Sequence, residues 1–437
     1  MSLHQSSGAS GSNKKRPRAR PTDTAPRDSS RRAEILTTAE SLIATTGLRT
    51  SLQEIANAAG ILTGSLYHHF ASKEDLLIEL VRRYHADIAQ VGTAALRRLD
   101  AADSASVEDR VIELASEIAR CAVRNRAALQ MSFFEAPTES PELMALLRQR
   151  PVAIQDAMVQ TLRAGRWSGY LRSDVDLVPL ADRICQSLLH VGLDVIRRDA
   201  STEDVATVLC QLLLHGVAAQ PVDNDRLDRS AARAAADQFV RQWESTDSTG
   251  GKFEHIQRSA RTVFGRKGFE LTTIRDIAAE AGLNAATVYR VIGSMDQLLA
   301  SIMQAFGEKV SAAIVAALSS ESSAVEKLDA LTWIHINAVL RFPDEWKIQL
   351  AWMRHSAPDS RNPAHAFDER MQDLSDLLSA GLRQGELRVV APSLLGLLTR
   401  CVIDVLWLPE NLIQDLGPET ALAMARDDVI RGIVNRG

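Results

Sequence analysis

Residues 50–76 read TSLQEIANAAGILTGSLYHHFASKEDL, and residues 272–298, 222 positions later, read TTIRDIAAEAGLNAATVYRVIGSMDQL. The two align without a gap: Gly60 matches Gly282, Tyr67 matches Tyr289 and Leu76 matches Leu298. A chain that carries such a unit twice is two copies of one module. Within each copy two short helices meet at the glycine. Ser51 with Glu54 forms a capping box ahead of the first helix, and Thr273 with Asp276 opens its counterpart. Ser72 with Asp75, and Ser294 with Gln297, start the following long helix in the same way. Ile55, Ala56 and Ala59 form a narrow apolar stripe, and the two alanines permit close helix approach. The next helix, at 63–70, has little apolar surface to bury, because Thr63, Ser65, Tyr67, His68 and His69 project from it. A helix so short and so polar is expected to lay its outer face against something polar, such as a major groove. A support helix at 30–45, closed by Gly47, completes a helix-turn-helix.

The 437 residues suffice for two or three domains. Hydrophobic residues make up 46% and aromatics only 5%, with Ala and Leu filling the periodic runs, which favours an all-helical protein. No uncharged apolar run reaches about 18 residues, so no transmembrane helix and no membrane partner are expected. The N-terminus is polar and basic without an apolar segment, so no secretory signal is expected. Cys121, Cys185, Cys210 and Cys401 lie in apolar runs with no C-x-x-C spacing. Neither disulfides nor a metal site are expected, which suits a reducing cytoplasm. His68 and His69 are adjacent on a helix and diverge, so they are not read as a metal pair.

Net charge is −5, yet residues 1–32 hold eight Lys and Arg against Asp23 and Asp28. A basic arm on an acidic body suits a protein that touches DNA along one edge. The arm, 1–28, is expected to be disordered, serving either as a phosphate-neutralising extension or as a solvated tail. No G-x-S-x-G, P-loop, H-E-x-x-H or Glu-x-x-His pair occurs, so neither an enzyme nor a cofactor is expected.

Apolar periodicity predicts further helices at 73–99, 106–123, 125–135, 140–166, 176–198 and 201–218. In the second copy, which starts near Phe253, it predicts them at 296–319, 324–341, 345–355, 363–384, 392–408 and 418–434. Ser140 and Pro141 read as an N-cap followed by proline at N1. Pro221 and VDNDRLD interrupt the pattern, an Ala-rich run at 227–243 predicts a connecting helix, and STDSTGGK reads as a flexible turn. The expected division is an arm at 1–28, a first head at 29–75, a first body at 76–218, a linker at 219–251, a second head at 252–297 and a second body at 298–437.

The run AGILTGSLYHHFASKEDL resembles the DNA-binding signature of the TetR family of bacterial transcriptional regulators, and its wording is similar to actinobacterial members that govern sterol and acyl-CoA catabolism. The resemblance implies an all-α chain of two tandem units, each a three-helix head plus a helical ligand and dimerisation body, paired as an intramolecular pseudo-dimer. The alternative assembly is a dimer of tandem chains. It implies that Thr50, Tyr67, His68 and Lys73 contact DNA phosphates, with Lys73 adding about one unit to the salt slope, while Thr63, Gly64 and Ser65 lie nearest base edges. In the second copy the same positions hold Thr272, Tyr289, Arg290 and Met295, with Ala285, Ala286 and Thr287 on the reading surface. Leu62 departs from the family's capping serine, which leaves Thr63 to cap one residue later, whereas Asn284 is a good N-cap. Either both heads bind DNA and read unlike half-sites, or the second serves dimerisation and effector sensing. The retained Tyr289, Arg290, Thr272 and Asn284 favour the first.

The loop at 165–181, echoed by Gln384, Gly385, Glu386, Leu387 and Arg388, resembles the family's entry into its penultimate helix. Leu188, Leu189, Val191, Leu209, Leu212 and Leu213 are then the candidate seam of a four-helix interface. Met131, Phe133, Phe134 and Met158 in the first body, and Trp333, Trp346, Trp352 and Met353 in the second, are candidates for a ligand pocket or for plain core. The implied function is a repressor released from an asymmetric double-stranded operator by a small hydrophobic or acyl-CoA-like effector. The rival classes are a regulator with one active head and a helical scaffold that binds no DNA.

Overall fold

The structure, a computed structural model, describes residues 24–436 apart from 49, 101–104, 134–137, 139, 199–200, 245–250, 270–271, 356–365, 391–396 and 407. In the first unit α1 (Thr24–Thr46), α2 (Leu52–Ala58) and α3 (Thr63–His69) form the head. Its body is α4 (Lys73–Asp100), α5 (Val107–Arg124), α6 (Arg126–Phe133), α7 (Pro141–Leu147), α8 (Val152–Trp167), α9 (Leu177–Arg198) and α10 (Thr202–His215). The join contains α11 (Asn224–Asp228) and α12 (Ala231–Glu244). The second head is α13 (Lys252–Lys267), α14 (Ile274–Glu280) and α15 (Ala285–Ile292). Its body is α16 (Met295–Leu318), α17 (Ala324–Arg341), α18 (Pro343–His355), α19 (Ala366–Arg383), α20 (Leu398–Leu406), α21 (Glu410–Leu416) and α22 (Pro418–Ala425), closed by a π-helical turn at Arg426–Arg431.

Sequence and structure differ at a few places, each with a physical cause. α1 begins at Thr24, so the last residues of the expected arm are helical; the rest of the arm lies outside the described residues. The helix expected at 140–166 is two, because Pro151 offers no amide to the preceding turn and disfavours helical geometry at Arg150. Pro409 likewise starts α21 as a separate helix. The connecting helix expected at 227–243 is split at Arg229 and Ser230, where the Ser230 hydroxyl accepts from the Arg233 amide. α12 is not a bare linker: Ala232, Ala236 and Val240 are buried in the second core, and the Arg233 guanidinium stacks 3.8 Å from the Trp333 ring.

The two units close on each other about a pseudo-twofold axis. The chain after α10 pairs with the loop before α20, as an isolated bridge between Ala218 and Leu387. The chain after the π turn pairs with the loop before α9, as a bridge between Leu171 and Val434. The two bridges are related by a constant offset of 216 residues. The flanking bonds repeat with them: the Arg172 amide donates to Ile433 and the Arg388 amide to Val217. On the axis Gly216 and Gly432 abut, both in the left-handed region. A Cβ on Gly432 would sit 2.2 Å from the His215 carbonyl carbon, and one on Gly216 2.4 Å from the Gly432 nitrogen. Only glycine permits that contact.

The core of the first unit continues across this interface. Leu188, Leu189, Leu209, Leu212 and Leu213 of the expected seam are buried, and the same cluster takes in Leu398, Cys401, Val402 and Val405 of α20 and Val429 and Ile430 of the π turn. The Val191 side chain lies outside the described residues. One buried ion pair crosses the seam: the Arg183 Nη1 lies 2.5 Å from each carboxylate oxygen of Asp428. Both are fully buried, and Arg183 Nη2 also donates to the Val405 carbonyl. Two residues earlier in the π turn, Arg426 binds Asp329 of α17 and Asp228 of α11. The wide turn thus aims one ionic side chain across the interface and another into its own unit.

Candidate nucleic-acid interface

Each head is assembled by local rules visible in its residues. The Ser51–Glu54 and Thr273–Asp276 capping boxes are both formed in full. Ser72 and Ser294 each accept the amide three residues on. Gly60 at φ +64° and Gly282 at φ +63° make the turn between the paired helices. The outward helices α3 and α15 are each pinned by two inward residues one turn apart: Leu66 and Phe70, and Val288 and Ile292. That leaves the opposite face free. Tyr67 is 53% exposed and Tyr289 60%, so neither ring is packed between helices. Gly64, Ser65 and His68 are also exposed, and the space beside Gly64 is open. Around the second head Ala286, Tyr289 and Arg290 are exposed, with Ala285 and Thr287 half-buried beside them.

Several expected contacts have other roles. Thr63 does not cap α3. Its hydroxyl donates to Gln53 Oε1 at 2.6 Å, and Leu62 begins the helix without a side-chain cap while standing 80% exposed. Asn284 does cap α15, accepting from the Thr287 amide at 2.8 Å. Thr50 and Thr272 are buried, and their hydroxyls donate to the Gly47 and Gly268 carbonyls. They hold the turn before α2 and α14 rather than present a hydroxyl to solvent.

Lys73 is half-buried, its Nζ donates to the Leu48 carbonyl, and burial lowers its pKa against the attraction of Glu54. It is a strut at the α1–α2 junction, not a spare charge. In the second head the corresponding strut is Lys267, 2.9 Å from Asp276. Hydrogen bonds from Thr273 and Lys267 hold the Asp276 carboxyl down at about 2. Met295 stands at the Lys73 position, and Lys267 serves as the cation beside Asp276 instead.

One cation of the reading face lies outside the expected set. Arg275 occupies on α14 the position Gln53 has on α2, and it is exposed. Neither Arg275 nor Arg290 makes a hydrogen bond or ion pair among the described residues. The gapless alignment of the two copies pairs Gln53 with Arg275 directly, so the signal was present in the sequence. The second head thus has two free guanidinium groups where the first has an amide and an imidazole.

The bodies enclose a cleft of about 470 Å³ between the two units. Its floor is apolar, from Tyr84, Leu129 and Leu189 of the first unit and Trp346 and Leu408 of the second. Arg148, Arg150 and Lys347 stand around it, of which Arg150 is paired with Asp182 at 2.6 Å. Of the expected pocket residues, Trp346 lines this cleft. Met131 and Met158 are fully buried core. Trp333 is also core, its Nε1 donating to Asp237 at 2.7 Å. The side chains of Phe133, Phe134, Trp352 and Met353 lie outside the described residues.

Against known proteins, the model of the family "Bacterial regulatory proteins, tetR family" matches twice, at residues 35–80 and 256–302. The HTH-type transcriptional repressor KstR2 of Rhodococcus jostii is 32% identical over 213 residues, covering 45% of this chain and 96% of the relative. KstR2 of Mycobacterium tuberculosis is 34% identical over 156 residues, covering 34% and 72%. Among solved structures, the ketosteroid transcriptional regulator KstR2 of Mycobacterium tuberculosis aligns at 27% identity and a TM-score of 0.34, over 40% of this chain and 89% of that one. Each full-length relative thus matches less than half of the chain, while the head matches twice. The chain belongs to the TetR family of bacterial regulatory proteins, DNA-binding transcriptional regulators, and carries the family's head in two copies.

Proposed function

We propose that the chain is a cytoplasmic repressor whose two heads, at 29–75 and 252–297, read unlike half-sites of one operator, and which an effector in the inter-unit cleft releases from DNA. The observation that carries this reading is that both heads keep the same scaffold and present different exposed faces. Gly64, Ser65, Tyr67 and His68 are exposed on one, with Thr63 half-buried beside them, and Arg275, Tyr289 and Arg290 are exposed on the other, with Ala285 and Thr287 half-buried beside them. A degenerate second head would be expected to shed its surface cations, and this one has gained them. The pseudo-twofold pairing supports one chain acting as a whole dimer. The relatives named as repressors support the sign of regulation. The apolar floor of the cleft, with Arg148 and Lys347 at its edge, suits an amphipathic anion such as a lipid-derived acid or thioester.

The test is binding to DNA upstream of the protein's own gene at two or more salt concentrations. Arg275→Ala and Arg290→Ala are each expected to weaken binding and to reduce the salt slope by about one. Sequence-specific binding that ignores both substitutions sinks the two-head reading and leaves a single active head.

A further inference from the structure

The cleft touches both heads' supports at once. In the first unit α1 packs on α6, and the contact is polar at one point. Glu40, 6% exposed, accepts the Ala127 amide in the first turn of α6. The Glu40 Oε2 has no hydrogen-bond partner among the described residues, and Arg83 stands 4.0 Å from it. Two and five residues beyond Ala127, α6 contributes Leu129 and Ser132 to the cleft. In the second unit α13 packs on α18, with polar contacts at the start of α18, where the Asp344 carboxylate lies against Gly265. Arg261 Nη1 lies 2.8 Å from the buried Glu345 carboxylate. The next two residues of α18, Trp346 and Lys347, line the same cleft. The chemistry of the two contacts is inverted. The first head offers a carboxylate to a backbone amide, whereas the second offers a guanidinium to a carboxylate. At the position of Glu40 the second head has Thr262, whose hydroxyl donates to its own helix.

We propose that a single amphipathic anion in the inter-unit cleft controls both heads together, by displacing α6 and α18 and so loosening two separate latches, Glu40 on Ala127 and Arg261 on Glu345. The inference rests on the reading of the cleft as the effector site. It makes the working stoichiometry one ligand per chain. It also makes the heads separable: cutting one latch frees one head. A ligand that wedges the cleft apart is favoured by whatever conformations relax those latches, and coupling between cleft and heads follows from that difference in affinity.

The four native cysteines are buried, so introduced surface cysteines can carry spin labels selectively. Labels on Asn57→Cys or Ala279→Cys, equivalent exposed positions of the two heads, are each paired with one on Trp167→Cys, an exposed reference on the first body. The probe is 8-anilinonaphthalene-1-sulfonate, an amphipathic anion that reports its own binding by fluorescence. Saturable binding of one probe per chain, abolished by the cleft-filling Ser187→Trp, is expected to change both distance distributions. Glu40→Ala without probe is expected to change the 57–167 distribution alone, and Arg261→Ala the 279–167 distribution alone. Absent binding, binding that Ser187→Trp leaves intact, a response in one head only, or a single latch substitution that moves both heads overturns the inference. If both heads respond and specific DNA binding does not change, the wiring stands and the proposed effector-released repressor falls.

Discussion

The buried pair of Arg183 and Asp428 yields the sharpest stability prediction. Arg183 and Asp428 are 0% and 1% exposed, and Nη1 reaches both carboxylate oxygens. Burial pushes the Asp428 carboxyl up to about 6 in spite of the guanidinium beside it, which is the signature of a large desolvation cost. Truncating one partner leaves the other charge in a dry seam. Asp428→Leu alone, or Arg183→Met alone, is therefore expected to cost about 3–5 kcal/mol. The double variant replaces the pair with apolar groups of similar length. It loses the Arg183 bond to Val405, worth about 1 kcal/mol, and escapes the desolvation of two ions. Its stability is expected to fall within about 1 kcal/mol of the wild type, or above it. Calorimetry and urea unfolding of all four proteins form a double-mutant cycle. Those costs imply a coupling energy of about 5 kcal/mol or more. Single substitutions that cost less than about 1 kcal/mol, or costs that simply add in the double variant, refute the reasoning.

Two further outcomes are expected. Burial raises the Glu40 pKa from 4.5 to about 7, so its stabilising contribution is complete below pH 4.5 and is lost as pH rises through 7. Glu40→Gln keeps an acceptor for the Ala127 amide and removes the ionisation. Relative to the variant the wild type should lose up to about 3 kcal/mol between those limits, and a pH-independent difference in urea midpoints would be contrary evidence. Gly432→Ala combines φ +77° with a Cβ 2.2 Å from the His215 carbonyl carbon, so it should disrupt the pairing of the units, whereas Gly385→Ala, at φ +70° in open space, should cost only about 1–2 kcal/mol. Equal melting temperatures for these two variants would show that the axis contact carries no weight.

The heads were legible in the sequence because their determinants are local. A capping box spans four residues, a turn glycine needs no distant partner, and the apolar positions of α2 and α3 repeat within a helix turn. The same locality explains the errors. The apolar period of residues 140–166 runs straight through Pro151, and periodicity alone does not weigh a missing amide. The resemblance places Thr63 and Lys73 at the DNA, and it does not foresee that Gln53 and the Leu48 carbonyl, close in space, are their partners within the chain. Large apolar side chains were poor markers of a pocket. Met131 and Met158 fill the interior, while the cleft is made where two units meet, by residues such as Leu129 and Leu408 whose types say nothing of it. No pattern joins Arg183 to Asp428 across 245 residues.

Fusion is what makes these asymmetries physically available. In a homodimer every residue facing the axis meets the same partner residue twice, so a buried charge appears on both sides. Two first units paired with each other would bury two copies of Arg183 and no Asp428. Two second units would bury two copies of Asp428 and no Arg183. Each arrangement leaves ions uncompensated, at several kcal/mol apiece. The unlike pairing buries one of each, matched. The same ion pair that stabilises the fold against its single-site variants thus discriminates against like-with-like assembly, and it keeps the two unlike reading faces, with Tyr67 on one and Arg290 on the other, on opposite sides of the same axis. The axis relates the scaffolds of the heads and not their exposed side chains, which keep a tyrosine at Tyr67 and Tyr289 and differ at His68 and Arg290, where the faces are free to diverge.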